Sequence, residues 1–216
     1  MRCWWEQRVA GGARVQRVVP DACSDIIVSG DGTAILVGPT TDVALHDLTP
    51  GSHVRGLRFR TEALGPAVRQ RAYELRDATL PLSAVLPDRP ARQVAEDVWA
   101  GRFPLALRPD PVDARIAHAV RRLWTGEIGV ADVADELGLA ERHLRRLFLD
   151  HTGVGPKTVQ RVGRFQRFLR AADAGGANLA GLAADAGYAD QAHLAREVRA
   201  LAGLSPSDLL RERRRS

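Results

Sequence analysis

The sequence predicts an α+β protein: a small antiparallel β-sheet domain followed by an all-α domain with two helix-turn-helix units joined by a long helix. Three observations lead there. The first sixty residues hold short β-branched or alternating runs separated by turn residues. From Asp113 onward, apolar residues recur at helical spacing. And the stretch LGLAERHLRRLFLDHTGVGP, from Leu137 to Pro156, is echoed by AGYADQAHLAREVRALAGLSP, from Ala186 to Pro206.

The strand-like runs are ARVQRVV (13–19), SDIIVSG (24–30), TAILVG (33–38) and HVRGLRFR (53–60). Pro20-Asp21, Gly30-Asp31-Gly32, Gly38-Pro39 and Pro50-Gly51 punctuate them, a spacing that suits a small antiparallel sheet or barrel. PARQVAEDVWAG (90–101) reads as a short helix ended by Gly101. RFPLALRPDP then reads as a proline-rich linker. The expected division is a β-rich domain over 1–101, a linker over 102–112 and a helical domain over 113–216. In the helical domain Asp113 is the N-cap of a first helix carrying Ile116, Val120, Leu123 and Trp124, with Gly126 past its end. Segments 130–138 and 141–153 follow. Pro156 opens the long helix, whose Val159, Val162, Phe165, Phe168 and Leu169 share a face. Segments 179–187 and 190–203 repeat the helical pair, and a last helix starts near Ser205-Pro206.

Composition narrows the function classes. The chain has 216 residues, 45% hydrophobic and 26% charged, as in an ordinary soluble protein. No apolar run approaches a membrane span, so no membrane partner is expected. The start, MRCWWEQRVAGG, carries Glu6 and lacks the apolar segment of a signal peptide. Cys3 and Cys23 make neither a disulfide framework nor a zinc motif, which fits a cytoplasmic location. The net charge is +5, with 17 Lys+Arg against 13 Asp+Glu in residues 112–216. An acidic partner is expected, and it is expected at the repeat.

The two copies align closely. Val133–Gly138 lies opposite Leu182–Gly187, His143-Leu144 opposite His193-Leu194, Gly153 opposite Gly203 and Pro156 opposite Pro206. Each copy is helix, tight turn, second helix, and such a second helix can lie in a DNA major groove. At 100° per residue, Leu144, Leu147 and Phe148 share one arc of about 100°, while Arg142, Arg145 and Arg146 share the opposite one. A single-sign arginine face repels itself unless something anionic meets it. In the second copy Leu194, Val198 and Leu201 form the anchor, with Arg196, Arg199 and Ala192 pointing away and Gln191 near the helix start. The first copy is therefore expected to contribute more affinity and the second to read fewer bases.

The pattern LGLAxRHLRRLFxxHTGxGP, the helix RVGRFQRFL and then GYADQAHLAREVRALAGLSP resembles the DNA-binding domain of AraC/XylS-type transcription regulators over residues 112–213. The resemblance implies recognition helices in successive major grooves of double-stranded DNA, and RNA polymerase as a further partner. It implies base contacts from Arg142, Arg145 and Arg146, then Gln191, Ala195 and Arg196. Arginine can grip guanine O6/N7, glutamine adenine N6/N7, and alanine only a thymine methyl. Lys157, Arg161 and Arg199 are expected to meet phosphates, and Arg161, Arg164, Arg167 and Arg170 to form a solvated face of the long helix. Lys157 to Ala172 would span roughly 23 Å. The chain departs from the family at Tyr188, where Phe is preferred, and at Val198, where a larger aromatic is preferred. Gly129 and Ala140 stand in place of capping Ser or Thr, each change costing about 0.5–2 kcal/mol.

The front half, through VPDACSDIIVSGDG, GLRFRTEALGP and ELRDATLPLSAVL, resembles a small cupin-like domain found on some AraC-type regulators. That implies sensing of a small-molecule effector, whose identity the residues do not give, or self-association as a homodimer. Trp4, Trp5, Phe59 and Tyr73 are candidates for an apolar pocket, or simply core aromatics. His46 and His53 are where cupin metal ligands would be sought, but the H-x-H…E pattern is absent, and no metal or other cofactor is expected. Cys23, flanked by Asp21 and Asp25, reads as structural because carboxylates raise a thiol pKa. The leading expectation is a regulator without catalytic residues. The alternative is a cupin-type metalloenzyme fused to a DNA-binding module. A DNA-repair methyltransferase would need a reactive cysteine motif that this sequence lacks.

Overall fold

The computed structural model describes residues 3–107, 111–126, 128–176 and 178–214. Among the described residues the first half carries seven strands: β1 (Cys3–Arg8), β2 (Arg14–Val18), β3 (Ser24–Ser29), β4 (Ala34–Val37), β5 (Ala44–Leu48), β6 (His53–Phe59) and, after a short helix, β7 (Thr79–Pro81). Five of them form an antiparallel sheet in the order β1-β6-β3-β4-β7, and β2 pairs with β5 in a separate antiparallel ribbon. The ladders therefore make an open sheet and a ribbon where the turn spacing had allowed a barrel. The β3–β4 hairpin needs Gly32, whose φ is +86°, while Asp31 Oδ1 accepts from the Thr33 amide at 2.9 Å.

One face of the sheet is buried, carrying Ile26, Val28, Leu36, Leu57 and Phe59, while Ile27, Ile35, Val37 and Arg58 between them are half-exposed. Helix α2 (Asp88–Trp99) covers that face with Val94 and Val98, and the short helix α1 (Leu64–Val68) extends the same core. Leu107 is wholly buried in this core, and Arg102 pairs with Asp97 at 2.9 Å. Within the expected linker at 102–112, Pro104 and Leu107 are thus buried while Phe103, Leu105 and Ala106 are exposed. Arg108, Pro109 and Asp110, also assigned to that linker, lie outside the described residues.

The second half is helical: α3 (Ala114–Thr125), α4 (Val130–Glu136), α5 (Glu141–Thr152), α6 (Pro156–Asp173), α7 (Leu179–Ala186), α8 (Gln191–Ala202) and α9 (Pro206–Arg213). It holds two cores. Ile116, Leu123, Val133, Leu144, Phe148 and Val159 make the first, and Phe165, Phe168, Leu182, Leu194, Val198 and Leu209 the second. Helix α6 serves both, with its N-terminal half in one core and its C-terminal half in the other. Its 18 residues span about 27 Å.

Candidate nucleic-acid interface

Helices α4–α5 and α7–α8 are the two helix-turn-helix pairs. Each second helix ends at a glycine in the left-handed region, Gly153 with φ +76° and Gly203 with φ +73°. In α5 the anchor residues Leu144 and Phe148 are fully buried and Leu147 is half-buried. Arg142, Arg145 and Arg146 are exposed on the opposite side, and none forms an ion pair with another described residue. Arg142 and Arg146 also border a surface recess with Ala140 and His143. The core clamps one face of the helix, so the other presents three unneutralised guanidinium groups to solvent.

In α8, Leu194, Val198 and Leu201 are buried, while Gln191, Arg196 and Arg199 are exposed. Ala195 is half-buried, between the two faces. The second unit is capped more completely than the first. Asn178 accepts from the Gly181 amide at 2.7 Å, Asp190 from the His193 amide at 2.6 Å, and Ser205 Oγ from the Asp208 amide at 3.2 Å. In the first unit Ala140 offers no side-chain cap. Gly129 gains only the reverse bond, its own amide donating to Asp132 at 2.8 Å.

The long helix departs from expectation. Lys157 is exposed at its first turn. Arg161 forms a two-point pair with Glu197 of α8 at 2.8 and 3.2 Å, so its charge is already matched inside the domain. Arg164 lies over the Tyr188 ring, 5.5 Å from its centre. Arg167 donates to the Trp124 and Ala186 carbonyls, tying the last turns of α3 and α7 together. Of the face read as solvated, only Arg170 is fully exposed. The spacing is that of a charged stripe, but α3, α7 and α8 pack against it and turn its arginines inward.

The residues singled out in the front half do not converge on one site. Phe59 is core, Trp4 and Tyr73 are each 40% exposed, and Trp5 lies over Gly56 with its indole donating to Asp25 at 2.8 Å. His46 stands on the ribbon, while His53 on the sheet bonds Glu6 at 2.9 Å. Among the described residues no cluster of His, Cys, Asp or Glu is arranged to hold a metal ion. The Cys23 thiol is pushed well up from its usual range, by burial first and by Asp21 second. Burial also raises the Asp21 carboxyl, opposed by Arg58 at 2.7 Å.

The residues that composition and periodicity did not announce are those joining the halves. Arg17 on β2 donates to the Ala202 carbonyl at 3.0 Å and to Glu212 at 2.9 Å. Gln166 donates to the Pro20 carbonyl at 2.9 Å. A cavity of about 420 Å³ lies between the halves, lined by Cys3, Cys23 and Phe59 on one side and Val120, Arg121 and Trp124 on the other.

Residues 133–212 match the family model described as a helix-turn-helix domain. This part of the chain is an AraC-type helix-turn-helix domain. AraC-type domains of this kind are DNA-binding modules of transcription regulators. Residues 1–81 match a domain of unknown function (DUF6597). Among solved structures the chain is similar to ToxT from Vibrio cholerae bound to an unsaturated fatty acid. The identity is 15%, 97% of this chain and 94% of that chain are covered, and the TM-score is 0.46. A 1.65 Å structure of ToxT from the same organism gives 12% identity, 97% coverage of both chains and a TM-score of 0.45. No curated protein matches the chain. No helix among the described residues is long and apolar enough to cross a membrane.

Proposed function

We propose that the chain is a sequence-specific transcription regulator whose helices α5 and α8 enter successive major grooves of one duplex. The observation that carries this reading is the exposed, unneutralised ridge of Arg142, Arg145 and Arg146, fixed by Leu144 and Phe148 on the buried side. Arginine in such a position meets guanine O6 and N7 with two bonds. From α8, Gln191 reads adenine, Arg196 a guanine, and Ala195 offers a methyl contact at most. Lys157 and Arg199, both exposed, hold phosphates. Arg161 is bound to Glu197 and acts by fixing α8 against α6. The front domain carries the regulatory input. A small effector would occupy the cavity between the halves, where a ligand touching both can alter how they sit. Contact with RNA polymerase and self-association complete the proposal.

The experiment is selection of bound duplexes from a random-sequence pool, followed by gel-shift titration on the winners. Wild-type binding should weaken steeply with salt, since each phosphate contact adds about −0.9 to the slope of log K against log salt. Arg145→Ala should cost about 1–3 kcal/mol and relax the preference at one base position. An equal loss on every sequence would make Arg145 a phosphate contact, and no enrichment at all would end the proposal.

A further inference from the structure

Gly153 and Gly203 occupy equivalent places, each closing the C-terminal turn of a recognition helix. Both lie beside one short stretch of the front domain, Gly153 tightly and Gly203 with room for an ordinary contact. A methyl group on Gly153 would fall 2.6 Å from Cγ of Pro39 and 2.7 Å from the Ala72 carbonyl oxygen. One on Gly203 would fall 3.6 Å from Cγ1 of Val43. Pro39 and Val43 both belong to the connection between β4 and β5, near its two ends. Five consecutive residues reach at most about 14 Å from the first Cα to the last. One loop thus lies beside the tail of both recognition helices, against Gly153 and next to Gly203.

The loop is fastened on each side. The Gly38 amide donates to the Ala78 carbonyl at 2.9 Å, and the Asp77 amide to the Pro39 carbonyl at 3.1 Å. The Asp77 carboxylate then accepts from the Thr41 amide at 2.8 Å and from the Thr41 hydroxyl at 3.2 Å. Asp77 holds this position at φ +55°, a conformation that Asp and Asn tolerate better than most residues. Past Val43 the chain enters β5, which pairs with β2, and Arg17 of β2 grips the Ala202 carbonyl and Glu212 beside Gly203. On the other side, the 3-10 turn Ala72–Leu75 and α1 pack on the last turn of α5.

We infer that the β4–β5 loop sets the separation and relative orientation of the two recognition helices, and that Asp77 is the positioning residue that keeps it in place. Its consequence for DNA rests on the function proposed above. The rival account is that α6, which serves both cores, fixes the geometry unaided, and in that case the loop merely rests against a finished domain. A hydrogen-bonded loop lying between two helix ends transmits a change in the front domain to both readers at once. A helix shared only within the second half transmits none.

Two measurements test this on the full chain. In the first, spin labels are placed at Glu141→Cys and Ala200→Cys, both exposed positions, with Cys3→Ser and Cys23→Ala removing the native thiols. Pulsed dipolar spectroscopy should give one narrow distance, broadened by Asp77→Ala and by a two-glycine insertion between Thr40 and Thr41, and kept narrow by Asp77→Asn. Unchanged widths in both disrupting variants would overturn the inference without reference to DNA. In the second, half-sites taken from the selected duplexes are moved apart or together by one or two base pairs. The intact chain should lose at least about tenfold in affinity per displaced pair, as one helix's base contacts are lost. The disrupting variants should flatten that profile while binding a single half-site as tightly as the intact chain. Equally steep profiles in the folded variants would give the task to α6. If no duplex is enriched, the DNA reading fails, and the dipolar distances still decide whether the loop positions the helices.

Discussion

Tyr188 shows how a single side chain reveals what a position is for. Its hydroxyl is buried and finds no hydrogen-bond partner, and burial pushes its pKa well above the usual range. Its ring lies between the Arg164 guanidinium at 5.5 Å and the edge of His193 at 5.3 Å. The ring does the packing, and the oxygen gains nothing for the desolvation it suffers. An unsatisfied buried hydroxyl costs about 1–3 kcal/mol, so Tyr188→Phe should leave stability unchanged or raise it by up to that amount. Urea unfolding with a constant m-value checks it, and a clear loss would mean that the hydroxyl has a partner in solution. The arginines of α6 carry the same lesson from the opposite side. Their spacing was legible and their partners were not, because the Trp124 and Ala186 carbonyls and Glu197 reach them only through tertiary packing.

At the scale of elements, helices α3–α9 were legible because their caps, glycine stops and periodic apolar faces agree with one another. Strands β1, β5 and β7 were not. CWWEQR and ALHDL do not alternate cleanly and are largely exposed on both faces, and β7 is three residues ending in Pro81. The crossing of α3 and α6 is set by Gly163, where an added methyl would meet the Trp124 backbone at 2.9 to 3.3 Å. Backbone cannot retreat as a flexible side chain can. Gly163→Ala should therefore destabilise the protein by about 1–3 kcal/mol, despite alanine's better helix propensity. Thermal and urea unfolding measure it, and a stabilised variant would show that α3 can move aside.

At the scale of the whole molecule, the arginine ridge of α5 was readable residue by residue, since one helical repeat suffices to place Arg142, Arg145 and Arg146 together. The joining of the two halves was not. Arg17 and Glu212 are 195 positions apart, and neither residue type announces a partner at that distance. The contacts between the halves were thus hidden in the sequence, while the exposed arginine ridge was open to view.

The reach of the β4–β5 loop bears on the shape of the nucleic acid as well. Adding the contacts at each end, Gly153 and Gly203 lie no more than about 29 Å apart. The major grooves along one side of a straight duplex repeat at about 34 Å. If the groove-entering ends of α5 and α8 stand as close as these tails, the proposed binding mode would draw the double helix into an arc rather than repack both cores. Curving a site of 20–30 base pairs costs on the order of 1–6 kcal/mol, less than rebuilding two hydrophobic clusters. Bound fragments should therefore be concave toward the protein, and circularly permuted probes carrying the site at different positions should migrate unequally. Equal mobilities would mean that the helix tips stand wide enough for a straight duplex. A curved site should also favour sequences rich in flexible pyrimidine–purine steps between the half-sites, at positions no side chain touches.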